Sequence, residues 1–195
     1  LALLKAPQLY IKAGHVNKAI SRFRAMLSAE ETRSTSNVRL SLAKQLAETL
    51  MHSITDSRYH PPDTESPRRV NSRQNLGVNN IGESPWKPRK YSNTNQFVPT
   101  NKQEEIVLLL MLCEVMASKH VPLNQNPEYD AHRANTLQGA ISVFHLMNLA
   151  LARYGYYRTL CEMFERSLRY APKEEHIWSQ FALVLACEMV LAGRP

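Results

Sequence analysis

Residues 144–185 read FHLMNLALARYGYYRTLCEMFERSLRYAPKEEHIWSQFALVL, and this stretch decides the fold. Phe144, Met147 and Leu151 recur at the spacing that puts side chains on one helical face. Leu160 and Phe164 open a second periodic run, which Pro172 ends. The pattern then restarts as Trp178, Phe181, Ala182 and Leu185. Phe144 and Trp178 stand 34 residues apart, the length of one helix–turn–helix unit. Such a unit buries its apolar face only by stacking on its neighbours, so the expectation is an all-α chain of antiparallel helix pairs.

Thirty-four residues is the tetratricopeptide period. That repeat takes an aromatic and small residues in its first helix, a small residue and a Phe in its second, and a closing Pro. Phe144, Phe164, Pro172 and Trp178 meet the pattern, whereas Asn148 and Leu160 stand where smaller residues are usual. Upstream lies a degenerate copy: Leu3, Ala6 and Tyr10 on one face, Gly14 at the turn, then Ala19, Phe23 and Met26. The expected packing positions are therefore Tyr10, Ala19, Phe23, Phe144, Phe164, Pro172 and Trp178.

Between the copies, Asn37 is the expected N-cap of an amphipathic helix carrying Val38, Leu42, Leu46, Leu50 and Ile54 at successive i+4 steps. Its partner begins at Thr100, which forms a capping box with Gln103. That partner is apolar nearly all round from Ile106 to Ala117, which predicts burial between neighbours on two sides. A polar connector, 124–135, precedes helices expected over 136–153, 156–170 and 173–191. Residues 1–54 thus hold the first repeat and the first helix of the second. Residues 100–195 hold the rest of the second repeat, the third, and the first helix of a fourth.

Residues 55–99 break all periodicity and hold six of the eleven prolines. A stretch this long without structure inside a domain is disordered or functional, so it is read as a disordered insertion between two helices. Its far end differs, because Trp86, Tyr91, Phe97 and Val98 are apolar enough to dock the returning chain on the helices. Trp86-Lys87-Pro88-Arg89-Lys90-Tyr91 mixes cations with aromatics, which also suits phosphates and stacked bases; the docking reading is preferred. Ser66-Pro67-Arg68-Arg69 has the form of a proline-directed kinase site at Ser66, where phosphate would add roughly −1.5 to −2 charge.

Net charge is +7, and it belongs to the first half: residues 1–54 carry +5, 55–100 carry +3 and 101–195 carry −1. A basic surface of this kind meets nucleic acid, anionic lipid or an acidic protein, or is merely solvated. The longest apolar run, Ile106–Cys113, has eight residues, far short of the roughly 20 that span a bilayer. Cys113, Cys161 and Cys187 stand singly, without metal or disulfide spacing, which points to a reducing, cytosolic setting. Seven histidines show no ligand or triad spacing, and six scattered glycines form no phosphate loop. Carboxylates look unpaired outside helix ends. No enzyme, cofactor or metal is expected.

First helices of stacked repeats line a groove, and its positions follow from the Phe144 and Trp178 anchors. They are Ser142, His145, Leu149, Ala152 and Arg153 in the third repeat. In the fourth they are His176, Ser179, Leu183, Ala186 and Cys187. Repeats that clamp a terminal carboxylate carry Lys, Arg and Asn there, but here Leu149 and Leu183 intervene and only Arg153 is cationic. An apolar helix or protein surface suits such a groove better than an acidic chaperone tail. An RNA- or polyanion-binding module is the alternative from another class.

Longer motifs carry a resemblance. Leu3-Leu4-Lys5-Ala6-Pro7-Gln8-Leu9-Tyr10, Gly14-His15, Ala19-Ile20-Ser21-Arg22-Phe23-Arg24, the Trp86–Tyr91 motif and Asn95-Gln96-Phe97-Val98-Pro99 resemble the tetratricopeptide repeat protein 7 family. The resemblance implies a non-enzymatic α-solenoid scaffold, of which this chain is an internal segment. It further implies a cytoplasmic protein recruited peripherally to the plasma membrane. There it helps hold phosphatidylinositol 4-kinase alpha, together with hyccin and a lipidated membrane-anchor protein.

Overall fold

A computed structural model describes residues 2–32, 34–62, 98–121 and 126–193. Seven α-helices follow in order: α1 (Ala2–Lys12), α2 (Val16–Leu27), α3 (Ser36–Ser53), α4 (Lys102–His120), α5 (Asp130–Tyr154), α6 (Tyr157–Tyr170) and α7 (Glu175–Ala192). Two single 3-10 turns, Asp56–Arg58 and Pro127–Tyr129, follow α3 and precede α5. No strand occurs among the described residues. Each helix packs on the next in the chain, and α1 also touches α3, as α3 touches α5. Contact between alternate helices is what makes a stack of hairpins a solenoid rather than separate pairs.

Sequence dictates the turns. Gly14 and Gly155 close α1 and α5 with φ of 79° and 75°, a left-handed conformation that costs a Cβ-bearing residue about 1–2 kcal/mol. At Gly155 the following Tyr156 N–H returns to the Leu151 carbonyl at 3.0 Å, so α6 starts after a two-residue break. α4 opens one residue later than its sequence suggests. Asn101 is the N-cap and accepts from the Glu104 N–H at 2.8 Å, while the Glu104 carboxylate accepts from the Thr100 N–H and hydroxyl, each at 2.8 Å. Glutamate wins over Gln103 because a carboxylate both accepts more strongly and suits the helix dipole. Thr35, not Asn37, caps α3, and α5 begins at Asp130 rather than 136.

Ala19 and Phe23 of α2, Phe144 of α5 and Phe164 of α6 are buried as expected, and Phe164 stacks obliquely on Phe181 at 5.8 Å. Three expected packing positions differ. Tyr10 is exposed, because α1 turns Pro7 and Ile11 inward instead. Pro172 is exposed in the α6–α7 turn, where its carbonyl accepts from the Trp178 indole N–H at 2.9 Å. Trp178 is 51% exposed although its repeat equivalent Phe144 is 2% exposed. Within this chain α5 lies between α4 and α6, whereas α7 packs chiefly on α6. Ile177, Val184 and half-buried Phe181 therefore form its inner face.

α4 has neighbours on two sides, α3 and α5, yet a further face stays open. Ile106, Leu110, Cys113 and Ala117 enter the core, but Leu108, Met111, Leu112 and Val115 face outward. Of the insertion, residues 55–62 and 98–99 are described, and the Ser66 site and the Trp86–Phe97 docking segment lie outside the described residues. Lys102 ties the two ends of the α3–α4 connection, donating to the Ile54 carbonyl at 3.1 Å and pairing with Asp56 at 2.7 Å.

Candidate partner-binding groove

The inner wall is built by α3, α5 and α7. Ala140, Val143, Phe144, Met147, Ala150 and Leu151 take the buried side of α5. Helical periodicity then forces Ser142, His145, Leu149, Ala152 and Arg153 onto the opposite side. There His145, Leu149, Ala152 and Arg153 are exposed and Ser142 is half-buried. α7 repeats the arrangement with His176, Ser179, Leu183, Ala186 and Cys187, all exposed.

Two rungs join these helices. The His145 and His176 rings meet edge to face, with centroids 5.0 Å apart and planes 75° to one another. Behind them, Asn148 donates to the Gln180 side-chain carbonyl at 3.4 Å. A third link reaches back to α3: Lys44 donates to the Ser142 hydroxyl at 2.9 Å, and that hydroxyl donates to the Gly139 carbonyl at 2.8 Å. Ser179 is satisfied within its own helix by the Glu175 carbonyl at 3.0 Å. Leu149 and Leu183, 53% and 60% exposed, project beyond the histidine rung as unfilled apolar side chains. Burial, and then the adjacent His176, hold the His145 imidazole below its usual range, with Glu174 opposing. With two exposed leucines next to this pair of rings, the face is a surface for packing, not a cation site for a carboxylate.

Sequence reasoning missed the electrostatics of the opposite wall. α4 carries two buried carboxylates, each held in a two-point clamp by an arginine from a flanking second helix. Arg24 of α2 reaches Glu105 through Nε at 2.8 Å and Nη2 at 2.6 Å. Arg166 of α6 reaches Glu114 through Nε at 2.6 Å and Nη2 at 3.1 Å. These carboxylates are thus paired, contrary to expectation. The available signal was their position: Glu105 precedes Ile106 and Glu114 follows Cys113, both core residues, and a charge on a buried face demands a partner. Tyr59, just beyond α3, lies under the Arg24 guanidinium at 5.5 Å from its ring centre. Burial and the nearby Glu105 carboxylate raise its hydroxyl pKa.

Burial pushes the Cys113 thiol up to about 12. Burial, reinforced by a 3.0 Å hydrogen bond to the Glu188 carboxylate, does the same at Cys161, also to about 12. Such thiols stay protonated and unreactive at neutral pH. Among the described residues no three His, Cys, Asp or Glu side chains converge as a metal site requires, and no helix is long and apolar enough to cross a membrane. Arg24, Arg39 and Lys44, from the basic first half, are engaged internally, Arg39 by donating to the Ala29 carbonyl at 2.8 Å.

Comparison with known proteins agrees with this architecture. Residues 1–164 match the family model described as Tetratricopeptide repeat protein 7 N-terminal. The chain is 38% identical over 186 residues to Tetratricopeptide repeat protein 7B of Mus musculus, covering 94% of this chain and 22% of that protein. It is 37% identical over 187 residues to the 7B protein of Homo sapiens, with the same coverage of each. To the human 7A protein it is 32% identical over 187 residues, covering 95% of this chain and 22% of the relative. The chain therefore spans about a fifth of the length of the curated relatives it matches.

Proposed function

Since this chain belongs to the tetratricopeptide repeat protein 7 family, we propose that it is a non-catalytic scaffold segment that helps assemble phosphatidylinositol 4-kinase alpha at the plasma membrane. Its partners on this reading are the kinase, hyccin and a lipidated membrane-anchor protein, and it is a cytoplasmic protein recruited peripherally. The family resemblance of the motifs supports the identity of the complex. The groove supports the mode of binding: Leu149 and Leu183 stand exposed on consecutive first helices, beyond a histidine rung. Apolar side chains in that register accept the apolar stripe of a helix or the face of a folded partner.

The test is affinity purification of the full-length protein from cells, followed by identification of what co-purifies. Recovery of the kinase with hyccin and the anchor is expected, and the Leu149→Asp, Leu183→Asp variant should lose at least one of them while retaining helix content. Recovery of none of the three overturns the reading. Tight RNA binding that weakens steeply with salt would favour the polyanion alternative instead. Saturable binding of an acidic C-terminal peptide would favour the chaperone-tail adaptor.

A further inference from the structure

The outer face of α4 carries four exposed apolar side chains, Leu108, Met111, Leu112 and Val115. Their i, i+3, i+4, i+7 spacing makes one continuous stripe. Beside it, Val107, Leu108 and exposed Tyr156 line a shallow pocket of about 190 Å³ that Gln103 and Glu104 close at the α4 N-terminus. The stripe lies on α4, whereas the His145–His176 groove lies on α5 and α7, so it is not explained by the proposed partner site. We propose that this stripe is the docking site for residues 86–91 of the chain's own insertion, Trp86-Lys87-Pro88-Arg89-Lys90-Tyr91.

Three observations select that occupant. The insertion returns at the same end of α4 as the pocket, through half-buried Val98 and buried Pro99. Reach is sufficient: Tyr91 precedes Val98 by seven residues, a span of up to roughly 23–25 Å. The far end of the stripe, Val115, lies about 20 Å along the helix from Lys102. Chemistry matches as well. Trp86 and Tyr91 bring flat apolar rings, and Lys87, Arg89 and Lys90 bring charge opposite in sign to the Glu104 carboxylate, which hydrogen bonds from Thr100 favour in its ionised form. A segment tethered this closely presents itself at an effective concentration of order mM, which favours it over a free competitor of equal affinity.

Trp86 and Trp178 are the two tryptophans, so a Trp178→Phe chain reports on Trp86 alone. In that chain, monomeric by light scattering, Trp86 emission should be blue-shifted and poorly quenched by acrylamide. Met111→Asp and Val115→Asp, each at an exposed position, should separately restore the quenching of a free tryptophan with circular dichroism unchanged. A photo-crosslinker at Tyr91 should attach to peptides of residues 102–119, a readout that needs no change in α4. Full quenching in the Trp178→Phe chain overturns the proposal. So does shielding that survives both aspartates, shielding seen only when the sample dimerises, or crosslinks that map elsewhere.

Discussion

Replacing Arg24 with Met should be more damaging than the matching change at Arg166. The Glu105 side chain is 7% exposed and the Arg24 side chain 19%, with two short bonds joining them. Removing the guanidinium while keeping most of its length leaves the buried Glu105 carboxyl between α2 and α4 without its partner. Breaking a buried pair in this way costs about 3–5 kcal/mol, a large part of the 5–15 kcal/mol that typically holds a domain together. Arg166→Met should cost less, about 1–3 kcal/mol, because the Arg166 side chain is 42% exposed and water can reach Glu114 as it leaves. Arg24→Met combined with Glu105→Leu should recover most of the loss, since an apolar pair of similar volume often matches a buried ion pair. Urea denaturation at pH 7, followed by far-UV circular dichroism, measures all four chains. If the double variant is as unstable as Arg24→Met alone, or if Arg166→Met is the worse of the two single changes, the clamp argument is wrong.

Three other outcomes follow from the same geometry. Phe144→Ala should destabilise by about 3–5 kcal/mol, while Trp178→Ala, at the equivalent repeat position but half exposed, should cost about 1 kcal/mol or less in thermal melts. His145 is held below its unfolded value of about 6.5, so the unfolded chain takes up its proton first as pH falls. Its stabilising contribution is complete above that value and is lost as pH drops through the lower folded value; His145→Gln should flatten the stability profile below about pH 6.5. A maleimide should label exposed Cys187 promptly at neutral pH and reach buried Cys113 and Cys161 only on unfolding, as mass spectrometry of digests would reveal.

How much of this was visible beforehand depends on whether a feature is local. The 34-residue echo located the helix pairs, because a repeat writes its packing period directly into the chain. Gly14 and Gly155 marked their turns, since few other residues tolerate that backbone. The groove face was countable too: once Phe144 is inward, periodicity places His145 and Leu149 outward. What the chain order hid depends on neighbours. Trp178 has the identity of a packing residue, but within this chain α7 packs chiefly on α6, which leaves the ring half exposed. The apolar girth of α4 agreed with its two neighbours, α3 and α5, but did not show that a third apolar face is open. The Arg24–Glu105 clamp joins residues 81 positions apart, beyond the reach of any local pattern.

Lys102, bridging Ile54 and Asp56 across the base of the α3–α4 connection, has an evolutionary consequence. With the two chain ends clipped together by their own helices, what lies between them adds little to the entropy of closing the loop. Doubling the length of a flexible connection costs only about 0.6 kcal/mol. The hairpin is therefore a splice point: sequence can lengthen, shorten or diverge there while α3 and α4 keep their pairing. New cargo can be tried at this one seam without renegotiating the stack.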